Sequence, residues 1–234
     1  MATFTFDGKN SYSDFGLIAE EIKIQSPSKR KVKETIPGMS GYLDFSTVIS
    51  GGEQVYDTRP ITAKLFLSKD NREDLYNLYT RVLEWLGAGQ SQLIFDFMPG
   101  YYFLAEIEDA PTWDEFVDNG DLEVKFTAQP YKYSITNYGD LLWDNIDFSL
   151  PDYIQETTFS VNSSKTVTIY IPGNHSIIPS VVVNNDTSCT LNNYTVTFTT
   201  SKTTDWLFKL KPGANNITIT GNGNIEFQFR KEVL

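Results

Sequence analysis

Few residues in this sequence have the type and spacing that chemistry requires. The chain holds one histidine, His175, and one cysteine, Cys189. A catalytic nucleophile needs a neighbouring base and an orienting partner, and neither residue stands in such a pattern. The sequence also lacks a Gly-x-Ser-x-Gly motif, a phosphate-binding glycine loop and a dinucleotide fingerprint. We therefore predict no catalytic residues and no bound cofactor.

One acidic segment is a candidate for metal binding. Asp114, Glu115, Asp118 and Asp121 lie close together in an acidic segment that surrounds Trp113. Their spacing does not match the alternating oxygen ligands of a calcium loop. A single cysteine and a single histidine also argue against a structural zinc site. We therefore predict no metal ligands.

The charge of the chain restricts its partners. With 19 basic and 30 acidic residues the formal charge is −11, and an acidic surface repels nucleic-acid phosphates. The basic cluster Lys29-Arg30-Lys31 with Lys33 is interpreted as a solvated loop, with a phosphate-binding patch as the alternative. The apolar runs are much shorter than a membrane span, and residues 1–4 do not resemble a signal peptide. We expect synthesis in a cytoplasm and neither nucleic-acid nor membrane partners.

Two aromatic residues are candidates for a carbohydrate contact. Aromatic faces stack on the apolar side of sugar rings, and Tyr194 and Trp206 could form such a platform. Trp206 also opens an alternating run, Trp206–Leu210, and large aromatics dominate protein cores. The favoured interpretation places Trp206 in a core, and the alternative is a sugar contact.

A single predicted helix organises the elements around these residues. Ile61–Leu67 has strand-forming residues, and apolar residues then recur at spacings of three and four, which predicts an amphipathic helix. That stripe comprises Leu75, Leu78, Tyr79, Val82, Leu83, Trp85 and Leu86. Asp70 and Glu73 form a predicted capping box, and Gly87 closes the helix.

The strands after the helix complete a first domain. Leu93–Phe97 and Tyr101–Ile107 flank Met98-Pro99-Gly100, which predicts a hairpin. Leu122–Ala128 alternates as a strand that we expect to end at Gln129-Pro130-Tyr131. A sheet with the helix packed on one face is therefore predicted.

The composition changes near residue 135. Beyond it threonine, asparagine, valine and isoleucine dominate, and short strand-like runs predict a β-sandwich or jelly roll. The runs are Thr157–Val161, Thr166–Ile171, Ser180–Asn184, Tyr194–Thr200, Trp206–Leu210, Asn216–Thr220 and Ile225–Arg230. We predict two domains, 1–135 and 136–234. The apolar segment Tyr138–Pro151 is expected to be an ordered bridge with Trp143 partly buried.

Several short motifs follow one another along nearly the whole chain. They are Phe4-x-Phe6-x-Gly8, Ser13–Leu17, Pro37-Gly38 with Gly41-x-Leu43, Tyr56-x-x-Arg59-x-Ile61, Trp85-Leu86, Leu93-x-Phe95-Asp96, Pro99-x-Tyr101-Tyr102-x-x-Ala105, Pro130–Tyr133, Pro179–Val181 and Leu210–Asn215. No single motif is diagnostic, but their order and spacing resemble the siphophage distal tail proteins, the Dit family.

This resemblance implies a fold and a function. The fold is mainly β, with an N-terminal β-sandwich-like ring domain carrying one α-helix and a C-terminal galectin-like or jelly-roll β-sandwich. The function is that of a structural hub at the virion tail tip, or baseplate, of a siphophage or prophage, made in the bacterial host cytoplasm. Such a hub is not an enzyme. The runner-up from the residues is a carbohydrate-binding module that contacts the host cell wall.

The resemblance also implies partners. Members form a homohexameric ring that joins the major tail or tube protein to a tail-associated fibre or lysin protein, and they can carry receptor-binding proteins. The second half lacks the His-x-Asn-x-Arg and Trp-x-x-Glu-x-Arg groups of sugar-binding galectins.

The turn-rich segment Pro37–Tyr56 has no apolar periodicity of its own, so we expect contacts with a neighbouring subunit to order it. The residues assigned to this interface are Pro37, Gly38, Met39, Gly41, Tyr42 and Arg59.

Overall fold

The structure is a computed structural model that describes residues 2–48, 50–68, 72–109, 111–115, 119–140 and 155–234. The predicted cap Asp70 and residues 141–151 of the predicted bridge, Trp143 included, lie outside these ranges. The chain divides into two compact units, Met1–Tyr133 with Leu234, and Ser134–Val233.

Strands dominate the first unit. Their bounds are β1 Phe4–Phe6, β2 Lys9–Asn10, β3 Ile18–Ile24, β4 Lys33–Glu34, β5 Leu43–Asp44, β6 Arg59–Ser68, β7 Ser91–Phe95, β8 Tyr101–Glu106, β9 Thr112–Glu115 and β10 Asn119–Asn137. The last four residues of β10 belong to the second unit. The helix α1, Arg72–Leu86, lies between β6 and β7 and is the only α-helix in the described ranges. The predicted mainly β fold with one helix is confirmed.

The sheet of the first unit closes on itself. Its strands are ordered β2-β1-β7-β8-β10-β6-β3. Ala2, just before β1, forms an antiparallel bridge with Ala19 of β3, whose amide donates to the Ala2 carbonyl at 3.0 Å. Closure leaves fewer unpaired strand edges and encloses a continuous apolar core.

Helix α1 packs on this core through the predicted stripe. Leu75, Leu78, Val82, Trp85 and Leu86 are buried. The Trp85 ring stacks on Phe15 and Phe4, with ring centroids 4.5 and 5.7 Å apart, and its indole nitrogen donates to the Phe6 carbonyl at 2.7 Å. The stripe is narrower than predicted, because Leu83 is 36% exposed.

The predicted hairpin after the helix is confirmed, and the next strand is longer than predicted. Strands β7 and β8 pair antiparallel, with Ser91 opposite Ala105. Strand β10 alternates in burial as expected but does not end at Gln129-Pro130-Tyr131. The hydrogen-bonded pairing of β10 with β6 ends at Ala128. Pro130, which has no N–H to donate, therefore lies beyond the paired stretch and does not interrupt it.

The second unit consists of strands around one core. They are β11 Thr158–Ile171, β12 Ser180–Val183, β13 Thr187–Leu191, β14 Tyr194–Phe198, β15 Gly213–Gln228 and β16 Arg230–Val233, after a 3-10 turn at Tyr138–Asp140. The sheet order is β11-β15-β13-β14, and β12 also pairs with β15. Four predicted runs are merged into the two long strands β11 and β15, and β13 was not predicted.

Strands β11 and β15 form a long bent ribbon. They pair without interruption from Thr158 opposite Glu226 to Ile171 opposite Gly213. Exposed residues 162–166 and positive φ angles at Gly221 and Gly223 mark the bend. Buried residues on both sides of the bend belong to one core, as in a β-sandwich.

Candidate interaction surface

Residues 25–58, here called the arm, connect β3 to β6. These strands pair antiparallel up to Ile24 opposite Ile61, and the Gln25 amide donates to the Pro60 carbonyl at 3.2 Å. Strands that meet in this way can be joined by a two-residue turn. The arm is therefore an insertion at the end of a hairpin and is not needed to connect the two strands.

Backbone hydrogen bonds continue the hairpin into the arm. The Asp57 amide donates to the Ser28 carbonyl, and the Arg30 amide donates to the Val55 carbonyl, each at 2.9 Å. Farther along the arm, the Phe45 amide donates to the Val32 carbonyl at 2.8 Å. Strands β4 and β5 follow, with Lys33 opposite Asp44. The predicted turn-rich segment is thus part of a two-stranded ribbon, an element that is marginally stable by itself in water.

The register gives the ribbon two different faces. Cross-strand partners share a face and successive residues alternate, so Val32 and Phe45 lie on the same side as Leu43. Lys33 and Asp44 lie on the opposite side. The first face thus carries three apolar side chains together with Glu34, the partner of Leu43, and the second carries charged residues with the Tyr42 ring beneath Lys33.

The arm exposes its apolar side chains. Every residue from Ser28 to Phe45 is exposed, and seven large apolar side chains of the arm are 38–66% accessible. They are Val32, Ile36, Met39, Tyr42, Leu43, Phe45 and Val48. This concentration of exposed apolar side chains makes the arm the candidate interaction surface.

Three of the four residues of the basic cluster have side-chain partners inside the arm. Arg30 pairs with Asp57 at 2.8 Å and Lys31 with Asp44 at 3.4 Å. The Lys33 ammonium lies 4.1 Å from the ring centre of Tyr42. Hydrogen bonds from Ser46, with Lys31 nearby, lower the pKa of Asp44 to about 2. These contacts favour a solvated, internally paired ribbon over a phosphate-binding patch.

The six residues predicted to contact a neighbouring subunit occupy two different environments. Pro37, Gly38, Met39, Gly41 and Tyr42 lie exposed at the end of the ribbon. Arg59 instead begins β6 and is only 6% exposed; its guanidinium carbon lies 5.3 Å from the Phe103 ring centre. Burial lowers the pKa of Arg59, and its Nε has no hydrogen-bond partner among the described residues. Its position at the start of β6, against Phe103, indicates packing inside the first unit.

The structure corrects the interpretation of Trp206. The residue is 70% exposed in a turn, so placing it in a core strand Trp206–Leu210 was wrong. Asp205 holds this turn: its Oδ1 accepts from the Tyr194 hydroxyl and the Leu207 amide, each at 3.0 Å, and it pairs with Lys202 at 2.9 Å. These contacts project Trp206 into solvent while Tyr194 is half-buried.

In the described ranges no three His, Cys, Asp or Glu side chains come together as metal ligands. No helix there has the length and hydrophobicity to cross a membrane. The Nε2 atom of His175 lies 2.8 Å from the Glu232 carboxylate.

The first unit is thus a closed, mainly β fold with one helix and an exposed ribbon. A family model described as the phage tail protein RIFT-related domain matches residues 10–128, just over half of the chain. The chain belongs to this family. It is therefore a structural component of a phage tail and not an enzyme.

Solved structures show a similar fold. The Dit protein of phage SPP1, described as a hub of the adsorption apparatus in phages that infect Gram-positive bacteria, has 16% identity and a TM-score of 0.67, with both chains covered completely. A chain of the phage p2 baseplate, in its activated conformation with Sr, has 12% identity and a TM-score of 0.45 over 100% of this chain and 98% of that one. No functionally curated protein matches.

Proposed function

We propose that this tail protein is the hub of the tail tip, or baseplate. Residues 1–135 build a homohexameric ring between the tail tube and a tail-associated fibre or lysin protein. Residues 136–234 form a separate β-sandwich domain that can carry a receptor-binding protein. The exposed apolar arm is the observation that carries this proposal, and the fold shared with a described hub protein supports it.

Charge favours the arm as the contact between subunits. Residues 1–136 contain 13 basic and 21 acidic residues, and the arm holds four of each. The rest of this half therefore has a formal charge of −8. Like-charged bodies repel one another, whereas a neutral apolar ribbon can approach such a body without that cost. A contact from the arm of each copy to the body of the next is heterologous and can close into a ring.

Replacing residues 29–56 by Asn-Gly is expected to abolish assembly and preserve the fold. Ser28 and Asp57 are hydrogen-bonded across the ribbon, so a two-residue turn fits between them. The variant should keep the β-type circular dichroism and the melting midpoint of the full chain. Light scattering should show a monomer over the concentration range in which the full chain forms rings.

A matched control keeps the ribbon and changes only its apolar face. Val32→Thr with Phe45→Thr retains β-forming residues, and it should weaken assembly without eliminating the arm. An arm-replaced protein that still formed the same oligomer would show that the ring uses another surface.

The second candidate function is carbohydrate binding, which the exposure of Trp206 favours. Trp206→Ala should change the free energy of unfolding by less than about 0.5 kcal/mol, as for an exposed surface residue. Calorimetry with host cell-wall polysaccharide should show binding by the full chain and not by this variant. If both proteins behave alike, Trp206 is not a sugar contact.

A further inference from the structure

Arg59 is a buried cation without an ionic partner. It lies on the same side of β6 as the buried residues Ile61 and Ala63, and it is only 6% exposed. No described residue forms an ion pair or a hydrogen bond with its guanidinium. Arginines are rarely buried unless they are paired, because an uncompensated charge costs free energy when it leaves water. One copy of the chain therefore does not supply the counter-charge of Arg59.

The ring of Phe103 meets only part of this requirement. The guanidinium carbon of Arg59 lies 5.3 Å from the ring centre, a distance at which the two groups attract each other. The ring supplies no oxygen acceptor, however, and an arginine side chain has five N–H donors. The ring thus holds the guanidinium in place and leaves its hydrogen-bonding capacity unused.

The outer end of the guanidinium is open to a ligand. Of its three nitrogens only Nε is completely buried without a hydrogen bond. The two terminal nitrogens also form no hydrogen bond with the described residues, but they keep contact with solvent. A guanidinium that is held by its stem and open at its end presents two parallel N–H donors, which is the geometry that binds a carboxylate through both oxygens.

The charge distribution of the chain favours a second copy as the source of that carboxylate. The proposed ring contact joins the arm of one copy to the body of the next, and this body has a formal charge of −8. Arg59 directly follows the last residue of the arm. A neighbouring body that contacts the arm where it joins β6 thus brings surplus carboxylates to a cation that has none.

We infer that the Arg59 guanidinium binds a carboxylate side chain of a second copy of the chain. The two terminal nitrogens of Arg59 donate to the carboxylate oxygens, and the neighbour supplies the counter-charge that one copy lacks. This inference rests on the proposed ring and adds a charged pair to the apolar contact of the arm.

Arg59→Met separates this role from a purely structural one. Methionine is unbranched like the arginine stem and packs well against an aromatic ring, but it carries no charge. Below the concentration of ring formation, the urea midpoint of the variant should equal or exceed that of the full chain, because a buried, uncompensated charge is removed. Ring formation followed by light scattering should require on the order of tenfold more protein or above, because the neighbour's carboxylate loses its partner.

Arg81→Met is the matched control. The Arg81 guanidinium carbon also lies near an aromatic ring, 5.7 Å from the ring centre of Phe15, but Arg81 is exposed on helix α1. This variant should change neither the urea midpoint nor the concentration at which rings form. An equal loss of assembly in both variants would show that total charge controls ring formation, and it would overturn the inference.

The remaining outcomes identify which proposal fails. If Arg59→Met forms rings at the same concentration as the full chain, the ring does not use this contact and only the inference fails. A lower urea midpoint for Arg59→Met, or a failure to fold, would show that Arg59 serves the fold. If inorganic phosphate raises the urea midpoint of the full chain and not of Arg59→Met, while both form rings alike, the site binds a free anion instead. If the full chain forms no ring, the proposed function fails as well.

Discussion

Trp85→Ala is expected to lower the free energy of unfolding by about 3–5 kcal/mol, the range for truncating a buried large aromatic. Trp85 is 3% exposed and stacks on Phe4 and Phe15, so the substitution opens a cavity between the helix and the sheet. It also removes the indole donor of the Phe6 carbonyl. Urea denaturation followed by circular dichroism measures the change.

Two further variants identify the cause of that loss. Trp85→Phe keeps an aromatic ring but leaves the Phe6 carbonyl without its donor, which should cost about 1–3 kcal/mol. Tyr76→Ala, on an exposed part of the same helix, should cost less than about 0.5 kcal/mol. A loss below about 1 kcal/mol for Trp85→Ala would mean that this face of the helix does not support the core.

Gly223→Ala should destabilise the second unit by about 3–5 kcal/mol, through backbone strain and overpacking together. Gly223 has a φ of +136°, a conformation that side chains rarely adopt. An added Cβ would lie 2.2 Å from Asn184 Oδ1. That oxygen accepts the Asn224 amide at 2.8 Å, so moving it away also breaks a hydrogen bond at the bend.

Gly213, in the same strand, provides the matched control. Its φ is +89°, but an added Cβ would meet nothing within 4 Å. Gly213→Ala should therefore show only the backbone cost, about 1–2 kcal/mol. Similar melting midpoints for the two variants would contradict the argument that the bend is held by close packing against Asn184.

The sequence predicted those elements whose signals are local. The spacing from Leu75 to Leu86 identified the helix and its buried face, since one period describes both. The turn at Met98-Pro99-Gly100 identified the hairpin, because strands that share a tight turn have to pair. The exposure of Leu83 could not be predicted, since it depends on how far the sheet extends beneath the helix.

Two features of the second unit depend on distant residues. Four of the predicted short runs belong to two long strands, β11 and β15, which pair although they are far apart in the sequence. The local spacing of apolar residues gives no information about such distant pairing. Trp206 looked like a core residue because it opens an alternating run. The three contacts of Asp205, to Lys202, Tyr194 and Leu207, hold a turn there that excludes the tryptophan from the core.

The arm was recognised in part. Its turn signals and the motif at Pro37-Gly38 pointed to an interface segment, but the ribbon was missed. Paired residues such as Val32 and Phe45 show their shared face only once the register is known. The burial of Arg59 could not be anticipated either, since charged residues are rarely buried.

The long ribbon of the second unit has a consequence for the speed of folding. Strands β13 and β14 are joined by the two-residue turn Asn192-Asn193, so almost no loop has to close before they pair. This hairpin can therefore form within microseconds. Strands β11 and β15 must instead close a loop whose innermost pair is Ile171 with Gly213 and whose outermost is Thr158 with Glu226. The entropy of that closure is lost before most core contacts form. Folding of this unit should therefore take milliseconds to seconds, with the β13–β14 hairpin formed early and the ribbon closing in the rate-limiting step.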